Sequence, residues 1–362
     1  MEEVLNIISN SLGQEKIGGP NKVILNTLKG LDKIGYPYVV NGNIGDYKFN
    51  WIHDSVKGII EAFLKKIPVV IGPNIVVLPD DLWPLKPFLC GNIYLHPSAW
   101  CVDVWKKVGF NECPLFSWPA GIDIQDFILE KSIDNQNNVL IYFKRRDPKL
   151  LEQAIVQVKS SGYNPLVIKY GEYDENEYKT LLSKSLFGIW IGTSESQGIA
   201  LQEALASNLP LIVCDVNSLF EAKGKNDYLF PEKLRDFKPT SVPYFDERCG
   251  IIINDISKLG DSIRKISGKI TSYNPREYIM ENLSLEKQAI ELLSFFDILK
   301  GKHPYYFSAE FSGYKRRDFS LSLSRKLIYS FFILKRKSRT AIRLLKKNYN
   351  NKRTRLVSRF YK

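Results

Sequence analysis

Two carboxylates in well-defined surroundings are the first candidates for chemistry: Glu195 and Glu203, which stand eight positions apart. Apolar runs suited to buried strands lie on either side, at 186–191 and 211–214, so this segment predicts a strand, a loop, a helix and a second strand. Such units build parallel sheets. Glu195 would then lie at the carboxyl end of a strand, where open parallel sheets bind ligands.

The predicted helix adds an anion site between the two acids. Gln197, Gly198 and Ile199 supply backbone N–H groups at the helix start, where the helix dipole favours negative charge. At 100° per residue Glu203 lies roughly 200° around from the sheet-facing Leu201, so its carboxylate is expected to point away from the core. Two acids that flank an anion site fit a long ligand with a central phosphate, such as a nucleotide sugar. A solvated acidic helix face is the alternative.

The run at 194–210, SESQGIALQEALASNLP, resembles the E-x7-E region of retaining glycosyltransferases of glycosyltransferase family 4, which have the GT-B fold. The resemblance covers roughly residues 4–296. It implies an α/β protein in which two Rossmann-like domains face a cleft, with a nucleotide-diphosphate sugar as the donor. It also implies that Glu195 holds hydroxyls of the donor sugar and that Glu203 holds the ribose.

A cationic cluster follows the β-branched and aromatic run at 139–143: it consists of Lys144, Arg145, Arg146 and Lys149. Fixed cations at a strand's carboxyl end favour the negative charge that a nucleoside diphosphate gains as it leaves. The resemblance implies an Arg and a Lys five positions apart in this role. Lys144 and Lys149 have that spacing, but Lys replaces Arg, so either arginine can take either role. We expect Lys144 and Arg145 to act in catalysis together with Glu195. Arg146 and Lys149 are expected to bind the donor, and a solvated charge run is the alternative.

Gly18 and Gly19 separate the first predicted strand, at 4–9, from a helix that begins near Pro20. Glycines in such a loop let the backbone approach a phosphate, and the helix N-terminus adds positive partial charge. The resemblance implies a Gly-Gly loop that lies against the donor diphosphate or the acceptor. A plain turn is the alternative.

His53 and His96 each follow a predicted strand of the N-terminal half, so both are candidates for the acceptor side of the cleft. The resemblance implies one histidine near the donor sugar and leaves open which of the two, if either, has that role. An ordinary polar residue at a strand end is the alternative. No histidine has a Cys or Asp at metal-ligand spacing, and the sequence contains no D-x-D, G-x-G-x-x-G or P-loop motif. We therefore expect no metal and no cofactor, with the cations in the place of a metal.

Alternating strand and helix patterns along the chain predict the same α/β organisation elsewhere. We predict an N-terminal Rossmann-like acceptor-side domain at 1–123, a polar linker at 124–138 and a nucleotide-sugar-binding domain at 139–273. Helices at 274–318 are expected to cross back to the first domain, and a basic amphipathic helical tail follows at 319–362.

The net charge of +12 comes from the tail, because residues 319–362 hold fourteen Lys and Arg and no Asp or Glu. Its uncharged block at 327–334 is too short to span a bilayer but suits the interface of an anionic membrane. We predict peripheral membrane binding by the tail, with nucleic-acid binding and a disordered solubility tail as the alternatives. Five cysteines without a C-x-x-C pair, and an acidic start without a signal peptide, predict reduced thiols and a cytoplasmic location.

Together these features predict a hexosyltransferase that moves a sugar from a nucleotide-diphosphate donor to a saccharide or lipid-linked acceptor, with retention of configuration, as in polysaccharide biosynthesis. The alternatives are a sugar epimerase or phosphorylase of the same fold, and a non-catalytic binding protein with a nucleic-acid-binding tail. We expect no specific nucleic-acid partner, because the apolar block of the tail is of no use to a duplex backbone. The donor sugar, the base and the acceptor stay open.

Overall fold

Two parallel β-sheets organise the protein. The structure, a computed structural model, describes residues 3–13, 18–76, 88–89, 91–130, 137–221 and 234–301. The predicted basic tail lies outside these residues, as do Cys90 and part of the predicted linker. The other four cysteines are buried, and none of them forms a disulfide with another described cysteine, in agreement with the predicted reduced thiols.

The first sheet has six parallel strands in the order β2-β1-β3-β4-β5-β6. The strands are β1 (Leu5–Ile8), β2 (Tyr38–Val40), β3 (Phe49–Ile52), β4 (Val70–Ile71), β5 (Ile93–His96) and β6 (Leu115–Ser117). The helices between them are α1 (Gly19–Lys33), α2 (Val56–Leu64) and α3 (Ala99–Lys107). Because these helices connect neighbouring parallel strands, the N-terminal half has the predicted Rossmann-like arrangement.

The second sheet has five parallel strands in the order β11-β10-β9-β7-β8. The strands are β7 (Asn138–Phe143), β8 (Asn164–Lys169), β9 (Phe187–Ile191), β10 (Leu211–Cys214) and β11 (Gly250–Ile253). The helices are α4 (Pro148–Ser160), α5 (Glu175–Ser183), α6 (Ile199–Ala206) and α7 (Leu259–Ser267). Strands β8 and β9 lie on opposite sides of β7, so the strand order reverses there and opens a crevice at the carboxyl ends of β7 and β9.

Local signals explain where several helices begin. The side chains of Ser55, Asp147 and Asp174 accept hydrogen bonds from the first turns of α2, α4 and α5. Proline stands in the first turn of α1 and of α4, where backbone N–H groups have no partner within the helix, so the N–H that proline lacks is not missed. Aspartate, serine and proline at these positions therefore fix where each helix starts, and α1 begins next to Pro20, as predicted.

Each sheet carries apolar clusters of buried side chains. The largest fully buried side chains include Trp51, Trp105 and Trp118 around the first sheet and Trp190 in the second. Burial of one such side chain contributes about 1.5–3 kcal/mol, so the two cores are the main source of stability.

The last two described helices, α8 (Pro275–Leu283) and α9 (Leu285–Leu299), follow the second sheet, and α9 packs against α1 of the first domain. A Cβ added at Gly30 of α1 would lie 2.5 Å from the Leu285 carbonyl oxygen, so the two helices approach closely. Trp118 Nε1 donates to the Gln288 carbonyl oxygen at 3.0 Å. The C-terminal helices thus connect the second domain to the core of the first.

The predicted two-domain α/β architecture is confirmed. The apolar runs at 4–9, 139–143, 186–191 and 211–214 agree with β1, β7, β9 and β10 within one residue at each end. Two elements were missing from the prediction: β6 and α7. Strand β6 has three half-buried residues, too few for a periodic signal. Helix α7 does carry one, since Leu259, Ile263 and Ile266 recur at helical spacing and are buried.

Candidate functional site

The predicted acid and cation at the switch-point crevice lie in direct contact. Lys144 follows β7 and Glu195 follows β9, and Lys144 Nζ lies 2.6 Å from Oε1 and 2.8 Å from Oε2 of Glu195. The side chains are 16% and 13% exposed. Lys144 Nζ also lies 4.5 Å from the centre of the Tyr170 ring, which follows β8. Three neighbouring strand ends thus form one polar site that solvent can still reach.

The backbone of Glu195 is held from both domains. Its N–H donates to the Thr240 carbonyl oxygen at 3.0 Å, and its own carbonyl oxygen accepts from Trp100 Nε1 of the first domain at 2.9 Å. Asp215, at the end of β10, fixes the segment around Thr240 by accepting from the Thr240 hydroxyl at 3.0 Å and from the Ser241 N–H at 2.5 Å. The position of the Glu195 carboxylate therefore depends on contacts between domains.

Trp100 and Asp215 are site residues that sequence analysis missed. Trp100 lies on α3, and Asp215 is a single acid after the apolar run at 211–214. Neither residue type nor spacing signals a hydrogen bond to a backbone that is more than twenty residues away.

Glu203 is 4% exposed, and its carboxylate contacts a lysine of the first domain. Its Oε1 lies 2.5 Å from Nζ of Lys22, a residue of α1. Burial raises the pKa of Glu203 to about 7; Lys22 opposes this rise and the nearby Glu175 carboxylate adds to it. The helical angle predicted a carboxylate that points away from the core, with a solvated helix face as the alternative; the structure buries the carboxylate and pairs it with Lys22. The binding of a ribose by Glu203 stays a prediction.

Gln197 uses its side chain to join the two domains. Its Oε1 accepts from the Ala120 N–H at 3.0 Å, and its Nε2 donates to the Ala120 carbonyl oxygen at 2.8 Å. Nε2 also lies 3.0 Å from Oε1 of Gln202, and all three residues are buried. The side chain thus serves as an interdomain connector.

Gly198 precedes α6 with φ +82°, a left-handed conformation that glycine adopts at least cost. Ile199, the first residue of α6, packs against apolar clusters of both domains. The structure therefore keeps the predicted helix start next to Glu195, and the binding of a phosphate by these N–H groups stays a prediction.

The four predicted cations do not act as one cluster. Arg146 is buried: its Nη1 donates to the carbonyl oxygens of Gly192 at 2.9 Å and Cys214 at 3.4 Å, and its Nη2 pairs with Glu221 at 2.7 Å. These contacts join the ends of β9 and β10, so the guanidinium faces protein groups, whereas the prediction gave it a donor-binding role. Its hydrogen-bond donors are directed inward because the strand-end carbonyls need partners.

Arg145 and Lys149 are exposed. Arg145 has φ +52°, which is unusual for a residue other than glycine, and its guanidinium lies 5.3 Å from the centre of the Tyr170 ring. Lys149 lies in the first turn of α4, where its N–H donates to the Asp147 cap at 3.1 Å. Of the four cations, Lys144 is the one that contacts Glu195 within the part of the chain that the structure describes.

Gly18 and Gly19 form the start of α1, as the glycine pattern predicted, and both are exposed. A Cβ added at Gly18 would meet only Pro20 Cδ at 4.0 Å, and one added at Gly19 would meet no described residue within 4 Å. The backbone of this helix start is therefore accessible to a ligand. Its contact with a diphosphate or an acceptor stays a prediction.

Both candidate histidines are fully buried in the first domain. His53 contacts the Ser9 hydroxyl at 3.2 Å and the Asn74 amide at 2.6 Å. His96 lies between the rings of Tyr94 and Trp105, and neither ring nitrogen has a hydrogen-bond partner among the described residues. Burial lowers the pKa of His96 to about 3, so it is neutral at pH 7. Neither side chain reaches solvent in the cleft, and contact of one of them with a donor sugar stays a prediction.

Within the described ranges, no group of three or more His, Cys, Asp or Glu residues is arranged to hold a metal ion. None of the helices that the structure describes is both long and apolar enough to cross a membrane.

The two Rossmann-like domains that meet at this crevice define the GT-B fold, as predicted. No protein-family model matches the sequence, and no curated protein matches it. Solved structures do match. Sucrose-phosphate synthase from Thermosynechococcus elongatus is similar with a TM-score of 0.53 and 11% identity, over 83% of this chain and 100% of that chain. Anabaena HepE in complex with UDP and glucose matches with a TM-score of 0.53 and 11% identity, over 82% and 100%. The catalytic domain of starch synthase IV from Arabidopsis thaliana, bound to ADP and acarbose, matches with a TM-score of 0.53 and 10% identity, over 83% and 99%. At these identities the likeness concerns the fold.

Proposed function

We propose that this protein is a glycosyltransferase that moves a sugar from a nucleotide-diphosphate donor to a saccharide or lipid-linked acceptor, with retention of configuration. The observation that carries the proposal is the Lys144–Glu195 contact at the topological switch point, next to the start of α6. An acid for sugar hydroxyls and a cation for a diphosphate thus stand side by side, where open parallel sheets bind ligands. Structures of this fold with UDP and glucose, and with ADP and acarbose, support the choice of donor class.

In the proposed complex the diphosphate lies near the start of α6 and draws Lys144 away from Glu195. The Glu195 carboxylate then accepts hydrogen bonds from the donor sugar. Lys144, together with Arg145 above the Tyr170 ring, stabilises the charge that develops on the leaving diphosphate. The cleft between the domains holds the acceptor close to the donor and so supplies proximity.

Retention of configuration is proposed from the resemblance of the E-x7-E region to retaining enzymes. In a front-face reaction the bond from the sugar to the leaving phosphate breaks as the acceptor oxygen attacks from the same side. The acceptor's proton passes to the departing phosphate oxygen, so the reaction needs no protein base. We also propose that the reaction needs no metal, because the positive charges of Lys144 and Arg145 offset the charge of the diphosphate.

We further propose that the tail holds the protein at the cytoplasmic face of a membrane, near a lipid-linked acceptor. This rests on the charge and the apolar block of residues 319–362, which lie outside the described residues.

The test has two stages. Thermal-shift screening against nucleoside diphosphates and nucleotide sugars identifies the donor, and transfer of a radiolabelled sugar to saccharide and lipid acceptors then measures the reaction. Glu195→Gln and Lys144→Met should abolish most transfer, whereas Lys159→Met, an exposed change on α4, should leave it intact. Product formed from the donor without any acceptor would favour an epimerase or a phosphorylase. The absence of binding to every nucleotide would reject the proposal.

A further inference from the structure

A lysine of the first domain contacts Glu203, the acid to which the family resemblance assigns the ribose of the proposed donor. Lys22 belongs to the first turns of α1, four residues after Gly18, and its Nζ lies 2.5 Å from Glu203 Oε1. The two residues are 181 positions apart in the sequence. Their side chains are 23% and 5% exposed, so the contact closes over a carboxylate that has almost no access to water.

A ribose would compete with this lysine. A carboxylate that accepts hydrogen bonds from two neighbouring hydroxyls uses both of its oxygens, and Lys22 already holds one of them at short range. Because the Lys22 ammonium group lies directly against the Glu203 carboxylate, a ribose can use both carboxylate oxygens only if that ammonium group moves aside.

The structure provides a second acceptor for Lys22. Its Nζ lies 3.6 Å from Oε2 of Glu175, at the start of α5, and the Glu175 side chain is 35% exposed. Glu175 is also approached by Lys179, one turn further along α5, at 3.7 Å. A short side-chain movement therefore transfers Lys22 from a buried carboxylate to a more exposed one without leaving its charge unpaired.

We propose that Lys22 sets the donor affinity by exchanging partners: it holds Glu203 in the empty protein and passes to Glu175 when the ribose binds. The inference rests on the proposed function, because it takes Glu203 as the ribose acceptor. It adds a residue of the first domain to the donor site and couples occupancy of that site to the contact between α1 and α6.

The test is isothermal titration with UDP and with ADP. Lys22→Met removes the competing ammonium group and frees both Glu203 oxygens for the ribose hydroxyls, so the nucleotide should bind about threefold tighter or more. Glu175→Gln weakens the alternative acceptor, so Lys22 should stay on Glu203 and the nucleotide should bind more weakly. In the double variant Lys22→Met/Glu175→Gln, the second change should have no further effect.

Lys29→Met is the matched control, because Lys29 lies on the same helix and pairs with Asp123 at 2.7 Å. It should bind the nucleotide as the unchanged protein does. If Lys22→Met misfolds, Glu175→Gln still decides the matter, since Glu175 is partly exposed. Unchanged or weaker binding by folded Lys22→Met, or equal binding by Glu175→Gln, would overturn the exchange and leave the proposed function standing. If the unchanged protein binds no nucleoside diphosphate, both fail together.

Discussion

Replacement of Gln197 by Leu should separate the two domains. The Gln197 side chain makes two hydrogen bonds to the Ala120 backbone, at 3.0 and 2.8 Å, and one to Gln202 at 3.0 Å. Leucine has a similar volume but makes none of them. The change therefore removes polar contacts between the domains with little loss of packing.

The magnitude follows from the number of bonds lost. A buried hydrogen bond contributes about 0.5–1.5 kcal/mol net, so the loss of three costs about 1.5–4.5 kcal/mol. The Ala120 N–H and carbonyl groups would be left buried without partners, and they regain partners only if the domains part and admit water. At about 2–4 °C per kcal/mol for a domain of this size, the melting temperature should fall by about 3–18 °C.

Two assays check this expectation. Differential scanning calorimetry measures the fall in melting temperature, and small-angle X-ray scattering measures the wider separation of the domains. Sugar transfer should fall as well, because an open cleft breaks the Trp100 hydrogen bond to Glu195. Gln153→Leu, an exposed change on α4, is the control and should alter none of these. An unchanged melting temperature together with an unchanged radius of gyration for Gln197→Leu would refute the reasoning.

Four further predictions concern the donor site, the metal, pH and the tail. Glu203→Ala should weaken binding of the free nucleoside diphosphate by about 1.5–3 kcal/mol, whereas Glu195→Ala should chiefly lower turnover; titration calorimetry that finds unchanged binding by Glu203→Ala would disprove the ribose assignment. Transfer should persist in EDTA, and an activity restored only by manganese or magnesium would contradict the role given to the cations. The pKa of Glu203 is raised from 4.5 to about 7. Between these two pH values the folded protein binds more protons than the unfolded chain, so the contribution of Glu203 to stability falls as the pH rises from 4.5 to 7. Melting temperatures measured between pH 5 and pH 7.5 should therefore fall less steeply with pH in Glu203→Gln than in the unchanged protein. The lowered pKa of His96 makes stability rise with pH up to 6.5, but this effect is the same in both proteins and does not alter their difference. The full-length protein should float with anionic liposomes and a protein truncated after Asp318 should not; a full-length protein that stays soluble would exclude the membrane role.

The sequence alone was sufficient for the architecture of the protein. Apolar runs at strand length, with helical periodicity between them, predicted both parallel sheets, and Pro20 marked the start of α1. It also placed Lys144 and Glu195 at strand ends that meet in the crevice. These inferences succeed because the pattern within one element determines which of its faces packs on its own sheet, and parallel strands bring their carboxyl ends to one edge.

The partners of the polar side chains were decided only by the tertiary structure. Arg146 and Lys144 stand two positions apart in one charge run, yet one joins strand-end carbonyls in the interior and the other pairs with Glu195. Gln197 bonds to Ala120, and Lys22 reaches Glu203 across the cleft. Such contacts depend on how one domain is oriented against the other. That orientation arises from the packing of whole surfaces, which no local spacing in the sequence encodes.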